Sequence, residues 1–226
     1  MTSTYQKLAL AAVGATITVL GIGGVAQATV LTFDDLPPYS SFSDYYDQIP
    51  NGYGGFSWDN FSYLNGAFSE INGTTVTNLT NTGYSNGRVS GNYVAFNTGG
   101  DPALVSDSVF DFNSAYLTAA WNDGLSVTVE GLNKGKTLYD KTVVVDTTKP
   151  TLINFDYFGV DELRFTASGG VEPDYLKVQG GPGTQFTLDN FTFNETSVPE
   201  PSTVSGALTA IGIGVAFKRK LKRKSI

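Results

Sequence analysis

Two long apolar runs bracket a body in which apolar residues come in short bursts. The runs cover residues 8–25 and 202–217. Between them, aliphatic and aromatic residues fall at 30–33, 93–96, 116–121, 125–130, 138–145, 151–157, 162–167 and 186–193, alternating with Ser, Thr and charged residues. Gly, Asn, Asp and Pro interrupt them every 8 to 12 residues or so, and a period of two over such lengths is the signature of a half-buried strand. No stretch of the body holds the 3.6-residue period of a helix. Many short strands at this spacing predict an all-β fold: an antiparallel β-sandwich of jelly-roll type, with a signal helix before it and a transmembrane helix after it.

Turn chemistry predicts which strands are neighbours. Asn122-Asp123-Gly124 places Asp-Gly between two strand runs, a strong hairpin signal, and 131–135 turns the chain again. Strands at 115–121, 125–131 and 136–145 are therefore expected to form a meander. The body also repeats itself: Phe56-Ser-Trp-Asp-Asn-Phe-Ser-Tyr63 and Phe186-Thr-Leu-Asp-Asn-Phe-Thr-Phe193 share one pattern. In a regular strand the first two apolar positions of each copy face opposite to the last two, so a kink or bulge is expected at Asp-Asn.

The two ends read as addresses. Lys7, the apolar run and the small residues Ala26-Gln27-Ala28 match the charged, apolar and cleavage regions of a secretory signal, which sets the mature start at Thr29. Residues 202–217 would reach about 24 Å as a helix, against about 30 Å of hydrocarbon, a marginal span helped by snorkelling lysines. Six bases between Lys218 and Lys224 hold the tail on the cytoplasmic side. The predicted organisation is a signal peptide at 1–28, a β-sandwich ectodomain at 29–197 and a sorting segment at 198–226.

Val198-Pro199-Glu200-Pro201-Ser202, the weak span and the basic end together resemble the PEP-CTERM sorting signal of Gram-negative bacteria. The resemblance implies that an exosortase recognises Pro199, Glu200 and Pro201 and removes the helix. Signal peptidase and the secretion machinery would act before it. The implied route leads through an inner-membrane intermediate to the cell surface or extracellular matrix.

Composition narrows the chemistry. The chain has neither Cys nor His, which removes disulfides, thiolate nucleophiles, thiolate zinc sites and the Ser-His-Asp arrangement. All 21 acids lie between Asp34 and Glu200, accompanied there by only Arg88, Lys134, Lys136, Lys141, Lys149, Arg164 and Lys177, a net charge of about −14. Such a surface repels phosphates, so no nucleic-acid partner is expected.

The body resembles the globular part of other PEP-CTERM proteins that open on Phe-Asp-Asp-Leu and close on Leu-Asp-Asn-Phe, here 33–36 and 188–191. These look like galactose-binding-like and carbohydrate-module jelly rolls. The resemblance implies that the first and last strands lie close and that their carboxylates share a structural calcium. Calcium takes six to eight oxygens, which makes Asp34, Asp35 and Asp189, with Asn190 beside them, the candidate ligands. The same acids equally suit turn capping at strand ends. Tyr39, Tyr45, Tyr46, Tyr53 and Trp58 crowd 37–63 and are candidates for a sugar platform or for sealing one end of the sandwich, whereas Trp121, in step with Leu117 and Ala119, reads as core. No spacing nominates a pair of catalytic carboxylates, so no catalytic residue is assigned and the chain does not read as an enzyme. The expected function is a noncatalytic surface or matrix protein that binds extracellular polysaccharide. A structural matrix component without a discrete ligand and a small carbohydrate-active enzyme are the competing uses.

Overall fold

In the computed structural model, which describes residues 28–37, 46–67, 70–71, 74–75, 79–177 and 183–194, the period-two stretches are strands. The expected signal segment up to residue 27, the expected sorting segment with Pro199, Glu200 and Pro201, and Tyr39 and Tyr45 lie outside those residues. Among the described residues no helix is long and apolar enough to cross a membrane.

The strands are β1 (Thr29–Leu31), β2 (Asp47–Gln48), β3 (Ser57–Asp59), β4 (Phe61–Asn65), β5 (Glu70–Ile71), β6 (Thr74–Thr75), β7 (Tyr93–Asn97), β8 (Ala103–Ala119), β9 (Asp123–Asn133), β10 (Lys136–Val145), β11 (Thr151–Val171) and β12 (Phe186–Phe193). A single helical turn, α1 (Gly83–Asn86), precedes β7. β5 and β6 pair only with each other; the rest form one hydrogen-bonded sheet.

That sheet folds into two layers because β8 and β11, 17 and 21 residues long, are bent. Their mutual register slips between Asn154 and Tyr157, between Tyr157 and Val160, and between Val160 and Glu162. Asp156 and Gly159 take left-handed φ of 51° and 69° there, the geometry of bulges that bend a strand. On one side of the bend, β10, β9, β11 at 162–171, β8 at 103–106 and β3 form a front sheet. On the other, β11 at 151–157, β8 at 112–119, β12, β7, β4 and β2 form a back sheet. β1 pairs with the end of β12, so the first and last strands are adjacent. The result is an all-β antiparallel sandwich.

The inward positions of both sheets meet in one core. β9 contributes Leu125, Val127 and Val129, while its intervening Ser126, Thr128 and Glu130 face outward. Rings bridge the layers: Phe165 of the front sheet lies 5.4 Å from Phe61 and 5.8 Å from Phe186 of the back sheet. Each such Phe is worth about 1.5–3 kcal/mol in removal from water alone.

The repeated octapeptide explains how two opposed apolar pairs reach this one core. Asn60 and Asn190, equivalent in the two copies, both sit in the left-handed region at φ 56° and 50°. The flip reverses the alternation, so Phe56, Trp58, Phe61 and Tyr63 are all buried, as are Phe186, Leu188, Phe191 and Phe193. Asn tolerates this conformation better than other residues with a Cβ, which is why the pattern carries it there. The kink at Asp-Asn forms as expected.

The predicted meander forms only in its second half. β9 and β10 are a hairpin whose two turn residues, Lys134 and Gly135, both have positive φ, 51° and 73°, as a tight right-twisted hairpin requires. β8 and β9 are not paired, because β11 lies between them. Asp123-Gly124 therefore turns a corner between sheets. Gly124 N–H donates to Asp146 Oδ1 at 2.8 Å, and Asp123 Oδ1 accepts from Thr147 N–H, so each carboxylate ties the corner to the chain leaving β10.

The back sheet has a second, smaller core on its outer face. Leu64, Val94, Phe96 and Ala120 point outward and are covered by Leu79 and Tyr84 of a strap spanning 79–92. Gly83 lets the strap lie flat, since a Cβ there would stand 1.7 Å from the Ala119 carbonyl oxygen. Its N–H donates to the Ala120 carbonyl at 2.9 Å.

Candidate functional site

The acids proposed for calcium are occupied by protein donors. Asp34 Oδ1 accepts from the N–H groups of Asn92 and Tyr93 at 2.7 and 3.1 Å. Asp189, fully buried, accepts from Val89 N–H at 2.7 Å, Ser90 N–H and hydroxyl at 3.1 Å each, and Asn190 N–H at 2.7 Å. Asn190 Oδ1 takes a bond from Ser90 Oγ. Asp35 Oδ1 accepts the Tyr53 hydroxyl at 2.7 Å. Asp34 and Asp189 do converge, but on successive residues of the strap's end. Among the described residues no three Asp or Glu side chains are grouped so as to hold a metal ion. Asp34 Oδ1, Asp35 Oδ1 and both Asp189 oxygens thus face N–H or O–H donors of the protein itself.

Burial holds the Asp189 carboxyl above its usual range, and the four bonds it accepts pull in the other direction without cancelling that effect.

The expected aromatic platform does not form from Trp58, which is 6% exposed and packed edge-on against Phe33, Phe56, Phe61 and Phe191. Its indole N–H donates to the Tyr53 carbonyl at 2.9 Å. The Asn60 flip is the cause, since it turns the whole octapeptide inward. Tyr53 is half-buried, and its hydroxyl accepts Phe33 N–H while donating to Asp35. Burial first, then Asp35, push that phenol well above its usual range. Tyr46 is half-buried edge-on to Phe96 at 5.5 Å.

Trp121 is the aromatic with shielded, unpaired oxygens near it. It sits in the crossover from β8 to β9, half-buried against the second core, its ring 5.6 Å from Tyr84 of the strap. The crossover runs between two segments. On one side, Ala120 N–H donates to the Gln185 carbonyl at 2.9 Å, which places the start of β12 there. On the other, Asp123 is in register with Val171, so Asn122 lies opposite Glu172 at the end of β11. Asn122 Nδ2 donates to the Gly169 carbonyl at 3.4 Å, and Gly170, at φ 72°, lets the chains approach closely.

Buried polar oxygens nearly always find a hydrogen-bond donor, so exceptions call for a cause. Four side-chain oxygens in the described residues are shielded and have none: Asn122 Oδ1, Glu172 Oε1, Gln185 Oε1 and Thr118 Oγ1. Thr118 lies under the strap, in register with Thr187. The other three flank Trp121. Tyr175, exposed, shares a 2.6 Å bond with the Thr147 hydroxyl on the same end. The half-buried indole offers part of its ring for stacking, while the three oxygens are shielded from the surface. Sequence alternation assigned Trp121 to the core because it continues the step of Leu117 and Ala119. The structure packs it, partly buried, against the second core on the outer face of the back sheet.

No protein-family model matches the chain. No curated protein matches it either. Among solved structures it is similar to an arabinose-bound MgGH51 α-L-arabinofuranosidase, with 12% identity over 76% of this chain and 27% of that one and a TM-score of 0.37. It thus spans about a quarter of that enzyme's length. It is also similar to CBM51 from Clostridium perfringens GH95 in complex with methyl-galactose (11% identity, 74% of this chain, 100% of that one, TM-score 0.32). A third is TmCBM61 in complex with β-1,4-galactotriose (13%, 61% and 85%, TM-score 0.29). The latter two are carbohydrate-binding modules.

Proposed function

We propose that the sandwich is a noncatalytic glycan-binding module that works outside the cell. The observation that carries this reading is the end of the sandwich around Trp121, where a half-buried indole lies beside three shielded oxygens, Asn122 Oδ1, Glu172 Oε1 and Gln185 Oε1, that lack a hydrogen-bond donor. Sugar rings offer an apolar face for the indole, and their hydroxyls are donors of the kind these oxygens lack, reached by a shift of the Asn122, Glu172 and Gln185 side chains on binding. Residues 1–28 would direct export, and Pro199, Glu200 and Pro201 would mark the chain for exosortase, which brings the module to extracellular polysaccharide.

A glycan array probed with the full chain, followed by calorimetric titration of the best binders, tests the reading. Trp121→Ala is expected to weaken binding by about 1–3 kcal/mol while the protein still unfolds cooperatively. Failure of every glycan to bind would leave a structural matrix component in its place. Removal of residues 199–201 is expected to leave the tail uncleaved and the protein at the membrane; unchanged processing would overturn the sorting part.

A further inference from the structure

We infer that the sandwich stands on a lipid surface on its bent end, with Trp121 held at the far end, away from the membrane; this rests on reading residues 202–217 or 8–25 as membrane segments and does not depend on glycan binding. Both apolar runs are attached to the same end of the fold. β12 starts beside the Trp121 crossover, where Ala120 N–H donates to the Gln185 carbonyl at 2.9 Å, and finishes at the bend, where Phe193 is in register with Phe112. β1 runs antiparallel to it with Thr29 opposite Phe193, so the chain enters the sandwich where it leaves it. Asn194 is fastened to the bend itself: its N–H donates to the Asp111 carbonyl at 2.8 Å, and its Oδ1 accepts Asp111 N–H at 2.9 Å. The β9–β10 turn lies at this end too, since Lys134 N–H donates to Asp161 Oδ2 and Asn133 Nδ2 to the Gly159 carbonyl.

Chain length limits how far the bent end can stand from an anchored run. Seven residues, 195–201, separate Asn194 from the run at 202, and three, 26–28, separate the run at 8–25 from Thr29. Fully extended, these reach at most about 25 Å and about 11 Å. The eight residues of β12 add about 25 Å in the opposite direction before the Trp121 crossover is reached. A tether this short keeps the bent end at an effective concentration on the order of millimolar near the headgroups, where weak contacts are enough to orient it. The bent segments of β8 and β11 carry Val109 and Phe158, 60% and 53% exposed, as apolar groups to set against the lipid. The acid excess of the body opposes close contact with anionic lipid, so a neutral surface suits this pose best.

The test reconstitutes the full chain in phosphatidylcholine vesicles and recovers it by flotation. Because the chain has no Cys, a single introduced one takes a fluorescent dye without competition. Ser108→Cys and Lys136→Cys put the dye at exposed positions of the bent end, two variants so that either can stand in for the other if its melting transition is altered. Thr148→Cys puts it in the exposed turn beside Thr147, which is tied to Asp123 at the Trp121 end. Lipids carrying a quencher on the headgroup are expected to extinguish most of the emission at positions 108 and 136 and to leave that at position 148 near its quencher-free level. Equal quenching at the two ends, or stronger quenching at position 148, overturns the orientation and leaves the membrane reading standing. A chain that does not float with the vesicles brings down the membrane reading and the orientation together, and glycan binding is judged separately by the array.

Discussion

The two outer faces of the sandwich are built on the same strand alternation and end up in opposite states. On the back sheet the outward positions include Leu64, Val94, Phe96 and Ala120, and the 79–92 strap covers them. On the front sheet the outward positions form rows across strands, Val144–Ser126–Ser168 and Thr142–Thr128–Thr166, followed by Asp140–Glu130–Arg164. These side chains are half-exposed or exposed, and Thr128 and Thr142 hydrogen-bond each other at 2.7 Å. The lesson is that one apolar row is enough to require a cover, and that the cover then needs its own fastening. Asp34 and Asp189 supply that fastening by accepting from the backbone N–H groups of residues 89, 90, 92 and 93.

If that contrast is right, the largest effect should come from the back face. Phe96→Ala removes a ring packed between Tyr46 and Tyr84 and is expected to cost about 4 kcal/mol in urea unfolding. A cost under about 1 kcal/mol would mean that the strap does not stabilise the fold. Asp189→Ala is expected to cost about 3 kcal/mol, because it strands buried N–H donors. Hydrogen exchange should then rise first at Val89 and Ser90.

Asp189 also predicts a pH dependence with a definite sign. Because burial raises its pKa in the folded state, the folded chain holds this proton more tightly than the unfolded chain does. Its contribution to stability is full below the ordinary carboxylate range and is lost as pH rises through the raised folded pKa. Asp189→Asn lacks that loss, so the advantage of the natural residue over Asn should narrow as pH rises through this window; a widening gap would contradict the assignment. On the front face, Thr128→Ala should change stability by less than about 0.5 kcal/mol. Smallest of all, added calcium or chelator should leave the melting temperature of the full chain unmoved, since Asp34, Asp35 and Asp189 are engaged by protein donors. A calcium-dependent rise would reopen those residues as ligands.

Much of the architecture is legible without coordinates where it depends on neighbours in the chain. The alternation of β9, the tight turn at Lys134-Gly135 and the kink at Asp59-Asn60 and Asp189-Asn190 all follow from local backbone preference. The candidate site was not legible in the same way. Trp58 and Trp121 each sit in an apolar strand pattern, yet the first lies in the main core and the second is only partly buried against the outer one. What separates them is the left-handed residue at Asn60, which returns the chain to the interior, and the crossover after Ala119, which leaves it.

The residues themselves therefore determine that this chain makes strands, where those strands kink, and that its chemistry excludes Cys and His catalysis. Only the tertiary structure decides that β11 separates β8 from β9, that Asp34 and Asp189 fasten one strap, and that Asn122 and Gln185 flank Trp121. The physical reason is sequence distance. Those relations join residues dozens of positions apart, where no local preference acts and only the packing of two sheets into one core selects the pairing.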